Sequence, residues 1–273
     1  MKGIHLEGLR VLGQPERFAR LYYNEGVDEI LYMDVVASLY QRNSLLDIVS
    51  RTAREVFIPL TVGGGLRTLE DIRNVLMAGA DKVSLNTAAI TRPEFVREAA
   101  QQFGSSTIVV SIEAIRLANG AYEAYTDNGR ERTGVDPFVW AVRAAELGAG
   151  ELLVTSIDRE GTGKGFDVDL TSRIADAVAI PVIASGGAGQ AEHVLKVLEQ
   201  GHADAVCLAS VLHYDVLRRY GLEHETSSEG NVEYLKKAHG FSRVQSGSVP
   251  ELRRFLAKQG VPCRHHETKI VHA

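Results

Sequence analysis

The chain has few of the features that mark secreted, metal-binding or membrane-spanning proteins. Its only two cysteines, Cys207 and Cys263, lie far apart and lack a CxxC or histidine-rich spacing, so we expect neither a disulfide nor a zinc site. No apolar run approaches 18 residues, and the N-terminus lacks the hydrophobic stretch of a signal peptide. We therefore expect a cytoplasmic protein with no membrane association.

The sequence also lacks long basic runs, and its formal net charge is −5. This balance argues against non-specific nucleic-acid binding. What is present is an ordinary globular composition, with 273 residues, 45% hydrophobic and 24% charged. One domain with a full-sized core fits these values, and its partners are expected to be small molecules or protein.

An internal repeat is the most informative feature of the sequence. Residues 58–65, Ile-Pro-Leu-Thr-Val-Gly-Gly-Gly, return 122 positions later as residues 180–187, Ile-Pro-Val-Ile-Ala-Ser-Gly-Gly. After one inserted residue near His202, residues 80–87 match residues 203–210. The chain is thus built from two copies of one unit.

Each copy alternates short apolar runs with amphipathic segments, which is typical of parallel strands joined by crossover helices. The predicted strands lie near 29–34, 58–63, 82–86, 107–113, 151–156, 181–185 and 204–209. The predicted helices lie near 15–25, 43–55, 68–78, 92–103, 136–147, 168–177, 190–200 and 249–259. This pattern predicts an α/β fold, a (β/α)8 TIM barrel made of two repeated half-barrels.

Two features depart from a complete barrel. The counterpart of strand 107–113 in the first half would fall before Met1, so the first strand is predicted to be missing from the N-terminus. A start codon placed too late, a degenerate gene or an unusual rearrangement would explain this. Residues 1–273 are predicted to form a single barrel domain with a polar segment inserted at 213–248 before the last helix. That segment is either a solvent-exposed excursion, with a short helix at 231–238, or a lid that contacts a partner.

Two glycine clusters follow predicted strands at repeat-related positions, Gly63-Gly64-Gly65 and Ser185-Gly186-Gly187-Ala188-Gly189. Glycine lets a backbone approach an anion closely, and barrels commonly hold phosphate at such a strand-to-helix turn. The next strand of each half ends in a hydroxyl residue, Thr87 or Ser210. The paired clusters predict a ligand with two phosphates, although each alone could be a tight turn.

Ionisable residues occupy both ends of the predicted strands. Asp34, Glu113 and Asp158 stand at or just beyond the ends of predicted strands and are candidates for proton transfer, although each could also be an ion-pair partner. A second set stands where strands begin, at the opposite barrel mouth, and consists of Glu29, Lys82 and Glu151. It predicts a charged ring that closes the barrel, or a plain salt-bridge cluster.

Five blocks of sequence resemble the cyclase subunits of imidazole glycerol phosphate synthase, a histidine biosynthesis family. They are residues 61–65, 80–89, 148–151, 155–162 and 183–189. The isomerase one step earlier in that pathway is also a two-half barrel for a bisphosphate. The block Thr155-Ser156-Ile157-Asp158-Arg159-Glu160-Gly161-Thr162 favours the cyclase.

The resemblance implies a lyase that works in a heterodimer with a glutaminase, without a cofactor or metal. Ammonia from the glutaminase would cross the barrel and react with a phosphoribulosyl aminoimidazole carboxamide ribonucleotide. The products would be imidazole glycerol phosphate and aminoimidazole carboxamide ribonucleotide.

The resemblance also assigns roles by position. Gly65, Asn86 and Thr87 would hold one phosphate, and Gly161, Gly187, Ala209 and Ser210 the other. Lys2, Asp34, Thr155 and Asp158 would lie on the substrate side. Glu29, Lys82 and Glu151 would gate the ammonia tunnel, and Asp81 would contact the glutaminase.

Two departures from the family pattern concern the chemistry. The family uses two aspartates as acid and base, and the first would lie upstream of Met1. The second is replaced here by Glu113, which reaches about one methylene further, and displacements near 1 Å can cost orders of magnitude in rate. Two alternatives therefore stand beside a working cyclase. One is a paralogue that aminates another phosphorylated or nucleotide-sugar acceptor, and the other is a non-catalytic bisphosphate-binding subunit.

Overall fold

A computed structural model of the chain describes residues 2–4, 7–10, 14–34, 44–220 and 244–264. In chain order the strands are β1 (Lys2–Ile4), β2 (Glu7–Arg10), β3 (Ile30–Met33), β4 (Leu60–Gly63), β5 (Lys82–Leu85), β6 (Ile108–Arg116), β7 (Tyr122–Thr126), β8 (Glu131–Arg132), β9 (Glu151–Ser156), β10 (Val182–Ser185) and β11 (Ala205–Cys207). The α-helices are α1 (Pro15–Asn24), α2 (Ser44–Ala53), α3 (Leu69–Met77), α4 (Thr87–Thr91), α5 (Glu94–Phe103), α6 (Pro137–Glu146), α7 (Val168–Ala175), α8 (Ala191–Gln200), α9 (Ser210–Tyr220) and α10 (Val249–Lys258).

The main sheet has the strand order β3-β4-β5-β6-β9-β10-β11, and all of these neighbours are parallel. The predicted alternation of parallel strands and helices is confirmed, and the predicted bounds agree with the structure within a few residues. Between the edge strands β3 and β11 the described residues provide no further strand, and these two edges do not pair. β1 and β2 form a separate antiparallel pair.

Six of the described strands and α-helices were not predicted, and the pair β1 and β2 accounts for two of them. β7 and β8 form an antiparallel hairpin that extends the end of β6. The short helix α4 follows β5 directly. The helix α9 runs to Tyr220, so the start of the 213–248 segment is helical and the expectation of a loop there is wrong. Positions 221–243, which include the short helix considered at 231–238, lie outside the described residues.

The core lies between the sheet and its covering helices, because parallel strands are buried on both faces. Val62, Val83 and Val110 on neighbouring strands are fully buried and pack with Ile72 of α3 and Phe95 of α5. Side-chain caps fix where several helices begin. The Thr68 hydroxyl accepts a hydrogen bond from the Asp71 amide at 3.1 Å to start α3. The strand ends therefore stand on a rigid layer, which suits a site built at their edge.

A second cluster joins the first helix to the last two. Phe18 and Tyr22 of α1 pack against Leu212 and Val216 of α9 and Val249 of α10. Beside this apolar contact, Arg219 pairs with both Glu25 and Asp215. No helix in the described ranges is long and apolar enough to cross a membrane.

Candidate functional site

The first glycine cluster turns the chain where β4 ends. Gly64 has φ of +100°, and a Cβ placed on it would lie 2.2 Å from the carbonyl oxygen of Asp34. The Asp34 amide in turn donates to the Gly63 carbonyl at 2.9 Å. Only glycine fits this approach of two backbones. The cluster therefore keeps the turn bare of side chains next to the end of β3.

The register of the sheet brings the predicted residues of this half together. Gly63 pairs with Ser84, so the chain beyond each strand places Gly65 beside Asn86, where α4 begins. The turn and its neighbours enclose a cavity of about 80 Å³. The predicted site residues that line it are Asp34, Gly65, Asn86, Thr87 and Glu113. Their roles remain predictions, but their shared location agrees with them.

The β7–β8 hairpin covers this cavity, which sequence reasoning missed. The Asn86 side-chain amide donates to the Tyr125 carbonyl at 3.3 Å. The Thr87 hydroxyl accepts a hydrogen bond from the Asp127 amide at 3.2 Å. Asp127 and Asn128 also line the cavity. The signal was present, because the run Asp127-Asn128-Gly129 is a typical hairpin turn.

Glu113 lies at the centre of this arrangement and is only 9% exposed. Burial raises the pKa of its carboxyl from 4.5 to about 7, while the Gly129 amide and the Asn86 side chain oppose the rise and the nearby Asp127 charge adds to it. Among the described residues, its Oε2 atom has no hydrogen-bond partner. A carboxyl in this state can exchange a proton near neutral pH.

The second glycine cluster repeats the arrangement at the ends of β10 and β11. Ser185 pairs with Cys207, so Gly187 lies beside Ala209, and α9 begins at Ser210. A Cβ on Gly187 would lie 2.2 Å from the carbonyl oxygen of Gly165. Gly161 belongs to the same 161–165 loop that packs on this cluster. The structure thus places the predicted residues of the second phosphate site at one edge.

His193 is a further residue at this second cluster that sequence reasoning did not single out for a role. Its Nδ1 atom accepts a hydrogen bond from the Gly189 amide at 3.1 Å. Burial lowers the pKa of the imidazole, the Glu192 charge opposes this and the Lys196 charge adds to it. The neutral ring therefore supports the glycine turn from its helix side.

Thr155 and Asp158 take different positions. Thr155 is buried and pairs in register with both Glu113 and Ser185, so it stands between the two halves of the site. Asp158 accepts a hydrogen bond from the Arg116 amide at 2.7 Å and lines a separate cavity of about 410 Å³. The structure therefore does not place Asp158 with Glu113. The side chain of Lys2 lies outside what the structure describes.

The charged residues at the strand beginnings do form one cluster. Lys82 Nζ lies 2.7 Å from Glu29 Oε1 and 2.6 Å from Glu151 Oε1. Burial alone would lower the pKa of this lysine, but the two carboxylates outweigh it and raise the pKa. The predicted juxtaposition is confirmed, and a gating role remains a prediction.

Asp81 has a structural bond in addition to its predicted role. Its Oδ2 atom accepts a hydrogen bond from the Leu60 amide at 2.8 Å. The repeat-related Asp204 accepts one from the Val182 amide, also at 2.8 Å. Each half therefore joins the start of one strand to the next through an aspartate.

Comparison of the sequence with known proteins identifies its family. The family described as histidine biosynthesis proteins matches residues 1–218. This chain belongs to that family. A relative from Legionella pneumophila, imidazole glycerol phosphate synthase subunit HisF, is 55% identical over 192 residues, which cover 70% of this chain and 91% of the relative. A protein of the same name from Alkaliphilus metalliredigens is 47% identical over 215 residues, covering 79% and 85%. The predicted membership of the cyclase-subunit family in histidine biosynthesis is confirmed.

Proposed function

We propose that this chain is a lyase that uses ammonia to convert a phosphoribulosyl aminoimidazole carboxamide ribonucleotide. The products are imidazole glycerol phosphate and aminoimidazole carboxamide ribonucleotide. The observation that carries this proposal is the pair of glycine turns at repeat-related strand ends, with a buried carboxyl next to one of them. The two turns suit the two phosphates of an elongated substrate.

Glu113 is the residue that transfers a proton to or from the substrate. Its carboxyl faces the cavity of the first glycine turn, and its Oε2 atom has no partner among the described residues. A group that titrates near neutral pH exchanges protons most effectively under physiological conditions. Thr155, in register beside it on β9, is positioned to contact the substrate between the phosphates.

The partner is a glutaminase that docks where the strands begin. Two apolar side chains are strongly exposed there, Phe57 at 75% before β4 and Met77 at 80% at the end of α3. They flank the Lys82 cluster by topology, because helices of a β/α fold end where the following strands begin. Exposed apolar side chains around a charged centre suit a protein interface. Ammonia would pass the cluster to reach Glu113.

The test is an assay with ammonium salts as the nitrogen donor, which makes the glutaminase unnecessary. We expect Glu113→Gln to lower turnover about a hundredfold or more, because a removed acid–base group typically costs 10²–10⁴ in rate. Glu131→Gln is the matched control, since Glu131 is an exposed residue of the nearby hairpin outside the cavity. It should leave turnover unchanged.

The glutaminase part is tested separately with Lys82→Met. This variant should keep its ammonium-driven turnover and lose coupling to glutamine hydrolysis by an added glutaminase. If the wild-type chain binds the bisphosphate substrate without converting it, the proposed reaction is wrong and a binding subunit is indicated. If it does not bind that substrate, a different acceptor is indicated.

A further inference from the structure

Asn86 makes contacts that a phosphate ligand alone does not explain. Its side-chain amide donates to the Tyr125 carbonyl, and Tyr125 is the cross-strand partner of Glu113 in the β6–β7 pair. Asn86 and Glu113 line the same cavity, and the Asn86 side chain acts to lower the pKa of the Glu113 carboxyl. Asn86 therefore stands between the hairpin and the buried acid.

The polar atoms in this cavity are incompletely paired. Ser84 Oγ, Asn86 Oδ1 and Glu113 Oε2 are all buried without a hydrogen-bond partner among the described residues. All three residues line the same cavity. Buried polar atoms of this kind are costly in a folded protein unless a ligand or a proton completes them. The orientation of the Asn86 amide therefore affects whether the Glu113 carboxyl is protonated.

We propose that Asn86 is a positioning residue for Glu113, joining its carboxyl to the Tyr125 carbonyl so that the carboxyl is held facing the cavity. This inference rests on the proposed function for its catalytic consequence. The positioning itself concerns the ligand-free protein. The other ionisable groups lining the cavity are Asp34, Arg67 and Asp127.

The experiment follows the titration of Glu113 by NMR of ¹³C-labelled glutamate side chains, with the signal assigned by its loss in Glu113→Gln. In Asn86→Ala the midpoint should rise by about half to one pH unit, because a donor to the charged form is removed. Asn86→Ser serves if the alanine variant does not fold, and the same direction is expected. A midpoint within about 0.2 unit of the wild type in a folded variant would overturn the proposal.

Thr87→Val is the matched control, since Thr87 also contacts the hairpin but is not among the groups that shift Glu113. It should leave the midpoint in place. With the bisphosphate substrate, the positioning role predicts a lower kcat in Asn86→Ala and an upward shift of its pH profile. A higher KM with an unchanged pH profile of kcat would show that Asn86 only binds the substrate phosphate and does not position Glu113. If the wild type shows no turnover, the proposed function fails while the NMR result still decides this inference.

Discussion

At the residue scale, the backbone of the first glycine turn decides which side chains the site accepts. Gly64 combines a left-handed φ with a Cβ position only 2.2 Å from a carbonyl oxygen. Gly120 shares the left-handed φ, at +85°, but nothing lies within 4 Å of its Cβ position. Comparing alanine substitutions at Gly64 and Gly120 therefore separates the energetic cost of a left-handed backbone from the cost of a steric clash.

Gly64→Ala should therefore destabilise the protein more than Gly120→Ala does. The conformational term alone costs about 1–2 kcal/mol in the left-handed region. The collision in Gly64→Ala forces the backbone of Asp34 to move, which adds roughly 1–3 kcal/mol more. Urea denaturation of both variants measures the difference, and equal losses would show that the contact with Asp34 is not rigid.

Glu113 gives stability a specific dependence on pH. Its folded pKa of about 7 exceeds the ordinary 4.5, so the folded protein binds this proton more tightly than the unfolded chain does. The stabilisation that this proton gives the folded state is present in full below pH 4.5 and is lost as the pH rises through 7. Between pH 4.5 and 7 the free energy of unfolding of the wild type should fall by roughly 3 kcal/mol relative to that of Glu113→Gln. Denaturation of both proteins from pH 4.5 to 8 tests this, and parallel pH curves would contradict it.

At the element scale, the strand and helix pattern was predictable because each element has a clear hydrophobic period. The β7–β8 hairpin was not predicted, since no element was assigned between the strand near 107–113 and the helix near 136–147. Tyr122–Thr126 lies between the turn signals Asn119-Gly120 and Asn128-Gly129, which would have revealed it. The helix α9 escaped because its polar residues hid the spacing of Leu212 and Val216.

The residues of the site were likewise predictable only in part. Gly65, Asn86, Thr87 and Glu113 were placed by strand ends, which sequence marks well. The hairpin that covers them depends on contacts between distant residues, such as Asn86 with Tyr125. Asp158 follows β9, as predicted, but it accepts a hydrogen bond from the Arg116 amide and lines a separate cavity. Long-range side-chain contacts have no local sequence signal.

The aspartate bonds at the strand beginnings offer a prediction for this scale. Asp81→Ala and Asp204→Ala each remove one bond to a backbone amide, and each should lower the free energy of unfolding by about 1–2 kcal/mol. Only Asp81→Ala should also weaken binding to the glutaminase. Calorimetric titration of both variants with the glutaminase checks this. If both variants change glutaminase binding equally, Asp81 is not part of the interface.

At the scale of the whole molecule, one buried network joins α1 to α9 and α10. Glu25 of the α1 terminus and Asp215 of α9 are buried, and Arg219 bridges them. Glu25 also accepts a hydrogen bond from the Val249 amide at the start of α10. This network links α1, α9 and α10 where the main sheet does not join them.

Arg219→Ala should be strongly destabilising, by about 3–5 kcal/mol, because it removes the cation that the buried carboxylates of Glu25 and Asp215 share. Arg218→Ala is the matched control. Arg218 also pairs with Asp215, but its side chain is 65% exposed, and such pairs contribute less than about 1 kcal/mol. Thermal and urea unfolding of the two variants measure the contrast. Similar losses would show that the network is not what holds these helices together.

The aspartate bonds have a consequence for how this protein can change over evolution. His202 is the extra residue of the second half, standing between Gly201 and Ala203 with φ of +52°, and its ring contacts Asp176 at 2.7 Å. Despite this longer connection, the Asp204 bond has the same length as its counterpart at Asp81. Because the bond rather than the connection sets the strand position, connections on this face can lengthen without displacing the residues at the opposite edge. Insertion libraries on this face should therefore be tolerated far better than insertions after the strands.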